Sequence, residues 1–118
     1  DAEEKRTKLQ NKFLWGWVYK QLSDQLIEAG IENFGAVYTP MQVHYRMQVE
    51  HRIIGMTKNG KGDDFPIYQS TSDMSKKAFS ADIEKINRFY IESEQIGIPD
   101  HRASEYYSNI ANEIGYSG

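Results

Sequence analysis

The chain has 118 residues, no cysteine, a formal charge of −3 and 13% aromatic residues, which describes one folded domain with a core of its own. Without cysteine there are no disulfides, thiolate nucleophiles or cysteine-ligated zinc, and no apolar run reaches the roughly 20 residues of a membrane span. Charge is uneven: residues 1–62 hold 9 Lys and Arg against 7 Asp and Glu, and residues 63–118 hold 5 against 10, compatible with DNA on one face and a protein on another.

In chain order, Glu3 to Ala29 reads as one long helix stopped by Gly30. Its middle, Phe13 to Tyr19, is apolar nearly all round, as in a helix buried on several sides. Periodicity alone also admits a buried strand there, but the long flanks favour helix. Thr39 is an N-cap with Pro40 at the first helical position. The residues after it are ambiguous. Met41, Tyr45, Val49 and Ile53 form an i, i+4 ladder, yet Met41, Val43, Tyr45, Met47 and Val49 alternate as in a strand. The cap and the length decide for helix.

Gly55 to Pro66 is a glycine-rich loop, read as the tip of a β-hairpin with Arg52–Ile54 and Ile67–Gln69 as its strands. Phe79, Ile83, Ile86 and Tyr90 make a helical stripe running to Ile96 and closed by Gly97. The chain restarts at Pro99–Asp100, and Tyr107, Ile110, Ala111 and Ile114 define a last short amphipathic helix. The expected fold is α+β and mainly α, a single compact domain over residues 1–118 with a long central helix and a small β-hairpin. There are no repeats and no linker. The sequence opens on Asp1 rather than methionine, so a preceding segment is expected.

The oddest chemistry lies at Gln69 to Phe79. Ser70, Thr71, Ser72 and Ser75 are capping candidates for the helix that follows, and Lys76 and Lys77 fall in its first turn. The N–H groups of a first turn carry a partial positive charge, so lysines there are unfavourable unless an anion such as phosphate comes to them. Asp73 opposes that reading by filling the anion's place. A second cluster, Lys5, Arg6, Lys8 and Lys12 with Asn11, opens the long helix; it is either ordinary helix solubility or a phosphate track. Lys58 and Lys61 on the loop extend it.

Trp15, Trp17 and Tyr19 belong to a core or a dimer interface rather than to base stacking. Tyr106 and Tyr107 are the better candidates for exposed aromatics. His44 and His51, seven residues apart on a helix, stand about 10 Å apart along its axis, too far for one metal ion. No metal site, cofactor motif or catalytic triad stands out.

Two segments together resemble the phage NinB family of Orf-type recombination proteins. Arg6-Thr7-Lys8-Leu9-Gln10-Asn11-Lys12-Phe13-Leu14-Trp15 is similar to the family's Arg-Ser-x-x-Gln-Asn-x-x-Leu-Trp. Ser70-Thr71-Ser72-Asp73-Met74, with Phe79 five residues on, is similar to its Ser-Thr-Ser-x-Met and following Phe. The resemblance runs from Arg6 to about Gly97. It lacks the family's N-terminal strand-bearing segment, and nothing from Pro99 onward matches.

The resemblance implies a homodimeric, non-catalytic protein of the bacterial host's cytoplasm. It would bind single-stranded DNA, contact the host single-strand-binding protein and help load a recombinase. DNA contacts are then expected from Arg6, Lys8, Asn11, Lys12, Lys58, Lys61, Ser70, Ser72, Lys76 and Lys77, and dimer contacts from Trp15, Trp17 and Tyr19. One rival reading is a protein-interaction module, a phage adaptor or inhibitor, working through the acidic C-terminal half. The other is a metal-dependent nuclease using Asp63, Asp64 and His51.

Overall fold

Residues 2–28 contain no proline and only three β-branched residues, a composition suited to an uninterrupted helix. In the computed structural model of the protein, which describes residues 1–72 and 74–118, this stretch has three parts. α1 (Ala2–Phe13) is capped by the Asp1 carboxylate, which accepts from the Glu4 amide. A π-helical segment (Leu14–Tyr19) follows and leads into α2 (Lys20–Glu28). Gly30, with φ of +74°, stands just beyond.

The π-helical segment is absent from the reading as one regular helix. It coincides with Trp-Gly-Trp, where Gly16 lies so close to the Tyr107 hydroxyl that no Cβ would fit. The wider turn thus accompanies a close approach between distant parts of the chain.

β1 (Glu32–Asn33) and β2 (Ala36–Val37) form a short antiparallel pair around Phe34 and Gly35, both at positive φ. α3 (Pro40–His51) starts as its cap requires, with Thr39 Oγ1 accepting from the Gln42 amide at 3.3 Å. Its inward side is not the expected ladder. Val43 and Met47 are buried against the long helix, while Met41, Tyr45 and Val49 are exposed.

β3 (Ile53–Lys58) and β4 (Asp64–Tyr68) are antiparallel, with Thr57 opposite Phe65, Gly55 opposite Ile67 and an irregularity between Ile53 and Gly55. Much of the expected loop is therefore strand. The turn contracts to residues 59–63, where Asn59 Oδ1 accepts from the Lys61 and Asp63 amides at 2.8 and 3.0 Å.

α4 (Lys76–Glu94) is capped by Ser75, whose Oγ accepts from the Ala78 amide. It stops at Gln95, in the left-handed region at φ of +56°, and not at Gly97. The Gln95 and Ile96 amides bond back to Ile91 and Tyr90, closing the helix two residues early. A 3₁₀ turn (His101–Ala103) precedes α5 (Glu105–Ile114), which Ser104 caps and Gly115 ends.

The core joins Leu14, Val18, Leu22 and Leu26 of the long helix to Val43 and Met47, to Phe79, Ile83 and Ile86 of α4, and to Ile110 and Ile114 of α5. Each such side chain contributes about 1.5–3 kcal/mol by leaving water. The architecture is α+β and mainly α, with two small two-stranded sheets. Among the described residues no helix is long and apolar enough to cross a membrane.

Candidate nucleic-acid interface

α1 and α5 run antiparallel. Tyr107 packs on Phe13, Trp17 and Gly16, while at the other end Lys5 Nζ lies 3.5 Å from Glu113. α4 begins at the same end of α5, because the Lys76 side chain lies beside Gly115, the residue that caps α5. The start of α1, the start of α4 and the end of α5 therefore meet at one corner of the domain. Two of the basic clusters, distant in sequence, converge there.

The contacts of Lys76 answer the question its position raises. A lysine at the positive end of α4 is unfavourable, but the end of α5 presents a partial negative charge. Lys76 is positioned to be stabilised by α5. Lys77 is exposed and has no ion-pair partner among the described residues, and the same holds for Lys8 and Lys12 on α1. Asn11 is exposed beside them.

Other candidates are committed elsewhere. The Arg6 side chain is three-quarters buried, with its Nη2 3.8 Å from Glu3 and no hydrogen-bond partner for Nε among the described residues. Gln10, one turn on, is fully buried with both amide atoms unpartnered among the described residues. Ser70 and Ser72 share a hydrogen bond of 2.7 Å, and the Ser72 amide donates to Ser70 Oγ. They form a small turn ahead of α4, whose cap is Ser75. Asp73, expected to compete with an anion, lies outside the described residues.

Lys58 pairs with Asp64 at 2.9 Å, and Lys61 is exposed at the hairpin turn. Strands of five and six residues separate that turn from the base of the hairpin, roughly 17–20 Å. The two hairpin lysines thus stand at the far end of the hairpin from its base.

The expected dimer contacts must be corrected. Tyr19 is fully buried and Trp17 nearly so, both inside the single chain's own core. Trp17 Nε1 donates to the Pro99 carbonyl at 3.2 Å. Trp15 is half-buried, edge-on to Tyr19 and against His44. The aromatic run is apolar all round because helices and loops of the same chain surround it.

The most highly charged part of the interior was not read from the sequence at all. Arg52, fully buried at the α3–β3 junction, donates from Nε to Asp82 Oδ1 (3.0 Å) and from Nη2 to Asp82 Oδ2 (2.6 Å). Its Nη1 donates to the Tyr19 hydroxyl at 2.7 Å. Tyr19 is then left to donate to His44 Nδ1 at 3.3 Å, and His51 Nε2 donates to Asp82 Oδ1 at 3.1 Å.

The two-point geometry is the strong form of an arginine–carboxylate contact. Burial alone would raise the Asp82 pKa, but hydrogen bonds from His51 and Arg52 outweigh it and hold the carboxyl below its ordinary range. Burial pushes Tyr19 up to about 12, and burial with the Arg52 charge lowers His44. This cluster ties the base of the hairpin to α4. One signal was available: Asp82 falls on the Phe79–Ile83–Ile86 stripe, where a carboxylate requires a partner. The same contacts take His51 to the base of the hairpin, whereas Asp63 and Asp64 lie at its far end.

No protein-family model, curated protein or solved structure matches the chain.

Proposed function

We propose that this chain is a non-catalytic accessory protein of phage recombination. It binds single-stranded DNA and assists recombinase loading on DNA coated by the host single-strand-binding protein. The reading rests on the NinB-like segments Arg6–Trp15 and Ser70–Phe79. The observation that supports it is the meeting of those segments' helix starts at one corner, where Lys5 and Lys76 flank the end of α5. Lys77, exposed at the start of α4, and Lys8 and Lys12, exposed further along α1 with Lys12 in its last turn, supply the phosphate contacts. Such contacts carry little sequence information and release counterions, so binding weakens steeply with salt.

Fluorescence anisotropy with a labelled single strand at two salt concentrations, with duplex as competitor, is the test. Salt-sensitive binding that favours the single strand is expected. Undetectable binding at low salt, or binding indifferent to salt, refutes the proposal.

A second reading, a protein-interaction module, is favoured by the apolar side chains exposed on α3 and the hairpin. Substituting Lys76 and Lys77 separates the two, because activity is lost only if those lysines hold DNA.

A further inference from the structure

Beyond Lys77, α4 forms one wall of a cleft that the basic corner does not use. The cleft measures about 460 Å³, within the range of small-molecule sites. The segment from Pro99 onward, where the NinB resemblance has ended, closes its other side. Tyr116 lies against Phe13 and His101, at ring separations of 5.3 and 5.5 Å. Arg102 Nη2 fixes this return of the chain by donating to the Ser117 carbonyl at 2.7 Å. Trp17 and Ile98 add to the apolar lining.

Polar groups edge that lining, and several have bonds to spare. Asn87 accepts from the Ile98 amide through Oδ1 at 2.8 Å, which commits its oxygen and leaves its NH₂ group as a donor. The Ser80 hydroxyl, also in the lining, has no hydrogen-bond partner among the described residues. The His101 ring has none among them either, although the residue is only 6% exposed. Burial, and after it the Arg102 charge, holds the His101 pKa below its ordinary value, so at neutral pH the ring offers one donor and one acceptor. The charged side chains of the lining are already paired, Glu84 with Arg88 at 2.8 Å and Asp100 with Arg102 at 3.1 Å. The cleft therefore favours an uncharged ligand.

We propose that this cleft binds a nucleobase, its ring against Trp17 and Tyr116 and its edge on Ser80, Asn87 and His101. Two demands select that chemistry. The aromatic wall needs a ligand with apolar faces. The spare polar groups include donors and acceptors, so the ligand needs both on its rim. A phenyl or indole ring leaves most of those groups unsatisfied, which costs affinity. A sugar ring carries hydroxyls all round and finds nothing for them on the apolar wall. The base belongs either to a free nucleoside or to an unstacked nucleotide of a single strand. Ser80 and Asn87 continue the face of α4 that starts at Lys77, three and ten residues on, so a phosphate held by Lys77 would lie about one turn from Ser80. The strand as source rests on the DNA reading; the free nucleoside does not.

The test is heteronuclear NMR of the whole chain, titrated separately to millimolar concentration with cytidine, adenosine and glucose. A short single strand and an abasic strand of the same length complete the set. A nucleoside or the intact strand should shift the Trp17 indole and Asn87 side-chain amide signals saturably. His101→Phe keeps an aromatic ring against Phe13 and Tyr116 but removes both ring nitrogens, and it should weaken binding about tenfold, the equivalent of one good hydrogen bond. Ser80→Tyr, at a half-buried position of α4, should fill the cleft and abolish the shifts while the helical signal persists. Shifts with a free nucleoside identify that source; shifts with the intact strand alone identify the strand. The inference is overturned if neither moves these signals, if glucose or the abasic strand moves them equally, or if both variants bind as the wild type does. Anisotropy reads strand binding separately. Its loss with nucleoside shifts retained refutes the DNA reading alone, and strand binding without shifts in the cleft refutes the base site alone.

Discussion

Asp82→Asn is the most severe single change the structure identifies outside the apolar core. The substitution keeps the side chain's size and removes its charge. It leaves the Arg52 guanidinium fully buried without a counter-charge, with one amide oxygen at position 82, the Tyr19 hydroxyl and His44 as its remaining partners. Breaking a buried ion pair by removing one partner costs about 3–5 kcal/mol, because the other charge stays behind without compensation. A domain of this length has roughly 6–18 kcal/mol in total. The variant should therefore lose about a sixth or more of its stability.

Urea unfolding followed by tryptophan fluorescence reads this directly. With a slope near 2 kcal/mol per molar, the midpoint should fall by about 2 M. Arg52→Met combined with Asp82→Leu removes both charges and should recover most of the loss, since a well-packed apolar pair often equals a buried ion pair. A midpoint shift below about 0.5 M for Asp82→Asn corresponds to about 1 kcal/mol or less at that slope. It would show that Arg52 finds water or another acceptor, and that the network does not tie the hairpin to α4.

Three further outcomes follow from neighbouring geometry. Gly16→Ala places a methyl group against the Tyr107 ring and hydroxyl, and the overpacking should cost about 1–3 kcal/mol in the same assay; a neutral result would mean that α5 shifts freely on α1. Gln10→Met replaces a buried amide without partners among the described residues, so it should raise the thermal midpoint, each orphaned polar group costing about 1–3 kcal/mol; a fall would reveal a partner for the amide. On acidification two groups act in one direction: Asp82 is held below its ordinary value and His44 is lowered from 6.5, so the unfolded chain binds more protons than the folded one. The His44 contribution is complete above pH 6.5 and declines as pH falls through its folded value; the Asp82 contribution is complete above its unfolded value, near pH 4, and is lost below it. Urea midpoints should hold between pH 8 and about pH 6.5, fall between there and about pH 4 as the His44 contribution declines, and fall further below about pH 4 as the Asp82 contribution is lost; a rise in the first falling window would contradict the His44 shift, and a rise in the second the Asp82 shift.

Local signals were legible in the chain because they act over a few residues. Thr39–Pro40 starts α3, Gly30 follows the long helix, and the Phe79–Tyr90 stripe forms α4. What depends on the neighbouring element was not legible. α3 contains two i, i+4 apolar sets, Met41–Tyr45–Val49 and Val43–Met47, and its own sequence is silent on which one the long helix covers. The hairpin was placed but shortened, because glycines that suggest a loop are tolerated in strands that nothing packs against. The Phe13–Tyr19 run was seen as buried on several sides. Whether its cover came from the same chain or from a second copy turned on α5 and the Pro99 segment, which contribute Tyr107 and a carbonyl oxygen.

Lys76 and Lys77 show the same limit at the candidate site and lead to a test. Their sequence context is nearly identical, as adjacent lysines in one first turn, yet their surroundings differ. Lys76 lies against the capped end of α5, and Lys77 faces solvent. Lys76→Ala should cost about 0.3–1 kcal/mol of stability, the value of a cation at a helix C-terminus. Lys77→Ala should leave stability unchanged and lower the salt dependence of single-strand binding by about one unit of slope, the signature of one lost phosphate contact. Paired urea and anisotropy measurements on the two variants separate a lysine that holds two helices together from one that holds DNA. If both variants change only stability, the basic corner is a packing device and the DNA reading loses its support. If both change only the salt slope, then Lys76 leaves α5 for phosphate when DNA binds, and the contact with Gly115 belongs to the unbound protein alone.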